Sequence, residues 1–223
     1  MAAVAIVGAG PGLGASIARR FVRESFAVGL IARSQSTLDS VTSTLPISAS
    51  AAAFTADVTD EVALRAALDR VRVDLGPISA LVYNAGLIRH DRPGDLSTRE
   101  HQNAWAINVV GAITSAAHVG SHMVEVGSGT IIFTGGMPEP EPDLVSLSLG
   151  KAGIRALAEL LDKAYGPAGV HVATVTIAGA IAPGTAFDPD EIADIYWRLH
   201  AQPRPKWQHN VLLEDGEERN PRP

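Results

Sequence analysis

The stretch Ala3-Val-Ala-Ile-Val-Gly-Ala-Gly-Pro-Gly-Leu-Gly14 decides the fold. Ala3 to Val7 is a short apolar run that reads as a buried strand, and the segment from the glycines to about Phe21 reads as a helix. Counted from Gly8 the spacing is G-x-x-x-G-x-G, with Gly10 inside it and Leu13 between Gly12 and Gly14. Gly8 lets the chain turn tightly off the strand. Gly12, in the middle, removes a Cβ where a pyrophosphate approaches the backbone. Gly14 permits close packing of helix on strand, and the helix start offers free N–H groups to phosphate. The order strand, glycines, helix favours this over a glycine-rich turn without a ligand. A second register, G-x-G-x-x-A from Gly10, starts three residues beyond the strand and fits less well.

Outward from there, short apolar runs alternate with longer amphipathic stretches, the pattern of βαβ units on a parallel sheet. Strands are predicted at 3–7, 26–32, 51–55, 78–83, 129–134, 170–177 and near 211–213. Leu64, Leu68, Val71 and Leu75 fall on one helical face. Ser97 and Glu100 have capping-box spacing and open a helix reaching about Val126. Ile154, Leu157 and Leu161 line a helix from near Leu144 to Tyr165, and Ile192, Ile195, Tyr196 and Leu199 line the last one. The expected fold is α/β: one doubly wound, mostly parallel Rossmann-type sheet of about seven strands, helices on both faces, in a single domain over 1–223. The polar tail 214–223 is expected to fray.

Composition narrows the function. Of 223 residues, 46% are hydrophobic and 19% charged, an ordinary globular balance. A formal charge of −6 gives no reason to expect a nucleic-acid or anionic-membrane partner, since either would favour a basic face. The absence of cysteine excludes disulfides, thiolate metal sites and a cysteine nucleophile. Met1 to Ala18 carries no charge, but its glycines interrupt the apolar run, so it fits neither an export signal nor a membrane span. A cytoplasmic protein is expected.

Further motifs follow the glycine segment in order: Asp57-Val58 after the third strand, Asn84-Ala85-Gly86 ending the fourth, Asn108-Val-Val-Gly111 in the long helix, and Lys151 in the helix after the fifth strand. With these, residues 3 to 213 resemble the short-chain dehydrogenase/reductase superfamily. The resemblance implies an adenine site at Asp57 and Val58, a cofactor wall at Asn84, Ala85 and Gly86, catalytic Asn108 and Lys151, and a nicotinamide loop at Gly179 and Ile181. At the end of the second strand an NAD enzyme normally has Asp or Glu for the ribose hydroxyls. Here Ala32 stands there, no carboxylate occurs between Glu24 and Asp39, and Arg33, Ser34, Ser36 and Thr37 offer donors suited to a 2′-phosphate. NADP(H) is therefore favoured over NAD(H), the alternative for Arg33 being a solvated surface role.

The family's catalytic set is Asn, Ser, Tyr and Lys, with the Tyr four residues before the Lys. In this chain that position is Leu147, and the serine position is Gly136; a small shift in register would bring Thr134 forward instead. Ser146 and Ser148 flank Leu147 but point about 100° away from it on a helix. Tyr83, Tyr165 and Tyr196 lack the required spacing and read as packing residues, and the Tyr position of enoyl reductases is Leu144. The segment corresponding to the substrate lid is only 180–189. Gly150-Lys-Ala-Gly-Ile-Arg-Ala-Leu157 and Ile195-Tyr-Trp-Arg-Leu-His-Ala-Gln-Pro203 look like a subgroup that keeps the Lys and lacks the Tyr.

His118 and His122 share a helical face but have no third metal ligand, so no metal site is expected. Glu139, Glu141 and Asp143 read as a solvated acidic loop; Trp105, Trp197 and Trp207 read as core or interface. Three readings stay open: an NADP(H)-dependent oxidoreductase of unusual mechanism, a catalytically silent nucleotide-binding protein, and a scaffold with a structural cofactor. The resemblance also implies a homodimer or homotetramer through the helices after the fourth and fifth strands.

Overall fold

A computed structural model describes residues 2–219. In chain order the elements are β1 (Ala3–Val7), α1 (Leu13–Arg23), β2 (Ala27–Ala32), α2 (Gln35–Thr42), β3 (Ala51–Thr55), α3 (Glu61–Leu75), β4 (Ile78–Tyr83), α4 (Thr98–Trp105), a π turn (Ala106–Val110), α5 (Gly111–Val126), β5 (Gly129–Thr134), α6 (Val145–Tyr165), β6 (Val170–Ile177), α7 (Pro189–Ala201), β7 (Asn210–Glu214) and β8 (Glu217–Arg219). The strands form one sheet in the order β3-β2-β1-β4-β5-β6-β7-β8. All neighbours are parallel except β7 and β8.

Every residue of β1 and β6 is buried, which is why these strands read as unbroken apolar or Thr-containing runs rather than alternating ones. One face packs Ile17, Phe21, Leu38, Ile192, Tyr196 and Leu199 from α1, α2 and α7. The other packs Leu64, Leu68, Ile107, Met123, Ile154 and Leu157 from α3, the π turn, α5 and α6. Chain direction across the sheet reverses between β1 and β4, so a crevice opens beyond the carboxyl ends of those two strands. No helix among the described residues is long and apolar enough to cross a membrane.

Two features differ from the sequence reading. The helix expected from Ser97 to Val126 is interrupted by the π turn. Its capping box is present, with Ser97 Oγ accepting from Glu100 N and Glu100 returning to Ser97 N. Within the turn, the Tyr83 hydroxyl donates to Ile107 O at 2.5 Å, and a Cβ on Gly111 would lie 2.4 Å from that hydroxyl. The buried phenol thus wedges against the helix where its carbonyl ladder widens. The tail is ordered further than its polarity predicts. Residues 217–219 pair with β7 instead of fraying, joined through Asp215 and Gly216 at φ +54° and +78°. This Asp-Gly pair has the two left-handed residues of a tight hairpin turn. Residues 220–223 of that expectation lie outside the described residues.

Candidate active site

The glycine turn is built as the spacing requires. Gly8 has φ +86°, and a Cβ there would lie 2.3 Å from Ala85 N, so β4's end presses directly on the turn. A Cβ on Gly14 would meet Ala9 Cα and Gly8 O at 2.9 Å, which seats α1 against the turn. Added to Gly10 or Gly12, it would meet nothing within 4 Å: these two positions face open space. Ala15 N turns back to Gly10 O and Ser16 N to Gly12 O, whereas the amides of Gly12, Leu13 and Gly14 have no acceptor among the described residues. Neither a side-chain cap nor an acidic residue occupies the first turn of α1. Free amides, a positive helix end and missing Cβ atoms make a cradle for a phosphate pair.

A cleft of about 460 Å³ continues from the turn, lined by Gly8, Gly10, Ala32, Arg33, Val58 and Asn84 to Leu87, among others. Arg33 and Ser34 stand at its wall beyond β2. Arg33 forms no ion pair among the described residues. Asp57 is exposed and turns its carboxylate to Thr59, accepting from the amide at 2.9 Å and the hydroxyl at 2.8 Å. The Thr59 amide bond holds the Asp57 pKa below the usual carboxylate range, and the Arg33 charge adds to the effect. Val58, rather than the Asp57 side chain, lines the cleft.

At the far end, Asn84, Asn108 and Lys151 converge. Asn84 Nδ2 donates to Gly8 O, and Asn84 Oδ1 accepts from Thr134 Oγ1 at 2.9 Å. Because that hydroxyl proton is committed, Tyr196 donates its own to Thr134 Oγ1 at 2.7 Å. This chain of bonds ties α7 to the glycine turn. It also turns the Thr134 hydroxyl toward the α7 face, so Thr134 does not come forward as a substitute serine. Asn108 Oδ1 accepts from Leu87 N at 2.7 Å, and its buried Nδ2 has no partner among the described residues. Lys151 is half-buried and Nζ donates to Thr134 O at 2.7 Å. Loss of hydration pushes its pKa down to about 8. A Cβ on Gly86 would lie 3.6 Å from Asn108 Oδ1 and 3.8 Å from Lys151 Nζ, which places both beside the cleft wall.

Leu147 is buried on α6, one turn before Lys151. Gly136 is buried with φ +155°, and a Cβ there would lie 3.6 Å from Lys151 Cε. Ser146 Oγ donates to Asp91 at 2.7 Å, and Ser148 Oγ accepts from Glu141 N at 3.0 Å. Asp91 is a residue that sequence reasoning missed. Only 2% exposed, it also accepts from Ser146 N, capping the helix that carries Lys151 from 55 positions away. No local spacing could reveal it. Arg155 Nη1 donates to the carbonyls of Gly136 and Met137, fixing the loop between β5 and α6.

Gly179 and Ile181 are exposed on the loop after β6 and do not line the cleft. A Cβ on Gly179 would lie 2.1 Å from the Phe187 ring, so this short loop folds on itself. His118 meets Arg65 and Asp69 at 3.1 Å, His122 meets Glu125, and no group of three metal-ligating side chains occurs among the described residues.

The family profile described as short chain dehydrogenase matches residues 2–188. The chain belongs to the short chain dehydrogenase family. Among curated relatives, it is 31% identical over 187 residues to galactitol 2-dehydrogenase (L-tagatose-forming) of Cereibacter sphaeroides, covering 82% of this chain and 70% of that one. It is 26% identical to D-threitol dehydrogenase of Mycolicibacterium smegmatis, covering 77% and 67%. It is 30% identical to 2,3-dihydro-2,3-dihydroxybenzoate dehydrogenase of Bacillus subtilis, where the match covers 58% of this chain and half of the relative. Among solved structures, a short-chain dehydrogenase from Rhodopseudomonas palustris superposes with TM-score 0.87 at 24% identity, covering 96% and 98% of the two chains. A metagenomic short-chain oxidoreductase in complex with NADP superposes with TM-score 0.86 at 25% identity, covering 95% and 96%. In this short chain dehydrogenase the glycine turn, Asn84, Asn108 and Lys151 lie together at one crevice.

Proposed function

We propose that this short chain dehydrogenase uses NADP(H) in preference to NAD(H), and moves a hydride to or from a small molecule with Leu147 and Gly136 where relatives have Tyr and Ser. The observation that carries the reading is the cleft that runs from Gly8 and Gly10 of the glycine turn to a wall bearing Arg33, with no carboxylate among its lining residues. The amides cradle the pyrophosphate, and Arg33 with Ser34 receives the 2′-phosphate. Val58 packs against the adenine, with Asp57 beside it, and Asn84, Ala85 and Gly86 form the floor. Lys151 would hold the nicotinamide ribose, with Asn108 fixing Leu87 at the cleft wall, whereas Gly179 and Ile181 lie outside the cleft lining. When bound, the nicotinamide supplies or accepts the hydride. In the metagenomic oxidoreductase the bound nucleotide is NADP.

Leu147 and Gly136 favour the second reading, a silent nucleotide-binding protein. We place it behind because Lys151 stands beside the cleft wall at Gly86 with one of its three ammonium protons engaged, leaving protons for chemistry as well as for binding. A homodimer or homotetramer in the cytoplasm, acting on a small molecule without nucleic acid or membrane, completes the proposal. Fluorescence titration of the purified protein tests it: NADPH binds at least about tenfold tighter than NADH, and equal affinity refutes the preference. Binding of NADPH with no oxidation by any of a broad set of carbonyls and alkenes favours the silent reading.

A further inference from the structure

We infer that Lys151 itself exchanges the proton with the substrate oxygen, an inference that rests on the oxidoreductase reading above. Around the end of the cleft the other side chains are committed elsewhere or carry no proton. At the phenol position Leu147 offers no proton. Ser146 and Ser148, on either side, are committed to Asp91 and to the Glu141 backbone. The Thr134 hydroxyl donates to Asn84 Oδ1 and accepts from Tyr196, so neither hydroxyl proton is free. Tyr83 donates to Ile107 O, and burial raises its pKa far above neutrality. Lys151 Nζ differs from all of these. An ammonium carries three protons, and only one is engaged, with Thr134 O. The lysine also lies between two residues without side chains, Gly86 at Nζ and Gly136 at Cε. At the serine position Gly136 leaves room beside the Lys151 stem, while Leu147 fills the tyrosine position with no proton to give.

The charged and polar groups around that amine leave its proton free to move. On its own helix, Arg155 is turned onto the Gly136 and Met137 carbonyls. From β4 and the π turn come the uncharged Asn84 and Asn108, from β5 the Thr134 carbonyl, and Asp91 is held by Ser146 at the start of α6. Burial alone lowers the lysine to about 8, near the operating range of a general acid. With nucleotide bound, hydride addition at the carbonyl carbon would form the new C–H bond and move the carbonyl π pair onto oxygen. One N–H bond of Lys151 breaks as the O–H bond forms. The carbonyl is reduced, the dihydronicotinamide is oxidised, and the neutral amine regains a proton from water.

The test uses the full chain with NADPH and 4-nitrobenzaldehyde or diacetyl as activated carbonyl probes. The titration of Lys151 is followed independently by NMR of ¹³C-labelled lysine, with its resonance assigned from the Lys151→Arg variant. Reduction should be lost as pH rises, with the fall in kcat/KM coinciding with the NMR titration near 8. Lys151→Arg keeps the charge but releases no proton. At NADPH concentrations that saturate the variant by fluorescence titration it should lose turnover, and Leu147→Tyr in that background should restore turnover at least about tenfold. A pH limb unrelated to the Lys151 titration, an active Lys151→Arg variant with an unchanged limb, or NADPH binding without turnover of either probe would overturn the inference. Failure of the parent to bind NADPH is a distinct result, refuting the nucleotide reading and this inference with it.

Discussion

Added methyl groups at Gly8 and Gly12 act on different properties of the molecule. At Gly8 the methyl meets Ala85 N at 2.3 Å and Asn84 C at 2.8 Å, backbone atoms that cannot swing aside, in a left-handed conformation. The conformation costs about 1–2 kcal/mol and the overlap about 1–3 kcal/mol more. Gly8→Ala should therefore lower the denaturation midpoint markedly. Gly12→Ala meets nothing in the protein, so its Tm should stay near the parent's while NADPH affinity drops at least about tenfold. Thermal melts beside fluorescence titrations check both, and unchanged affinity in Gly12→Ala would refute the cradle. The tight turn at Gly8 was legible because a glycine's purpose follows from its place between strand and helix. The commitments of Thr134, Ser146 and Tyr83 were not legible. Each depends on which way a hydroxyl turns and on partners from 24 to 62 positions away.

Two helices show how elements far apart in sequence hold the site. Helix α6 has no cap from its own flank; Asp91, on the loop after β4, accepts from both Ser146 N and Ser146 Oγ. Asp91→Ala should cost about 1–3 kcal/mol, read as a lower urea midpoint, with a smaller loss for Asp91→Asn, which keeps an acceptor. Helix α7 docks on α1 through Arg19–Asp190 and Arg20–Asp194 bridges and through Phe21, Phe26, Trp197 and His200. Burial lowers His200 from 6.5 to about 4, and it moves His171 in the same direction. Between those two values the unfolded chain binds more protons than the folded one, so stability present above pH 6.5 is lost as pH falls toward 4. The His200 contribution is on the order of 3 kcal/mol. Melts at stepped pH should show this slope, and His200→Phe should flatten it while losing the bond to Thr130 Oγ1. A slope unchanged in His200→Phe would assign the acid sensitivity elsewhere. Helix periodicity announced α6 and α7 themselves, whereas the π turn left no sequence trace because a buried phenol opens it. The closing hairpin did leave one: Asp215-Gly216 is a strong turn signal within a stretch whose polarity reads as fraying.

At the scale of the molecule, alternating strands and helices were enough to give a doubly wound sheet, and the switch between β1 and β4 then fixed where a crevice must lie. Sequence cannot show which helix faces stay uncovered, since that depends on how the layers close. Trp105, Ile113, Leu149 and Leu160 remain exposed on α4, α5 and α6, the helices flanking β5. Leu149, Gly153 and Leu160 fall within ~40° of one another about the α6 axis. A Cβ on Gly153 would lie 2.9 Å from the Trp105 ring, so α4 and α6 join their apolar stripes into one surface. Apolar surface of this kind is rarely left in water, and a self-complementary patch on helices suits a two-fold interface. The protein should therefore sediment as a dimer or tetramer at micromolar concentration. Leu149→Asp with Leu160→Asp should shift it to monomer, since two carboxylates would have to be desolvated against a symmetry mate. NADPH affinity should survive in that monomer, because the phosphate cradle lies on α1, across the sheet from this surface. Loss of binding together with assembly would instead mean that the crevice is completed by a second subunit.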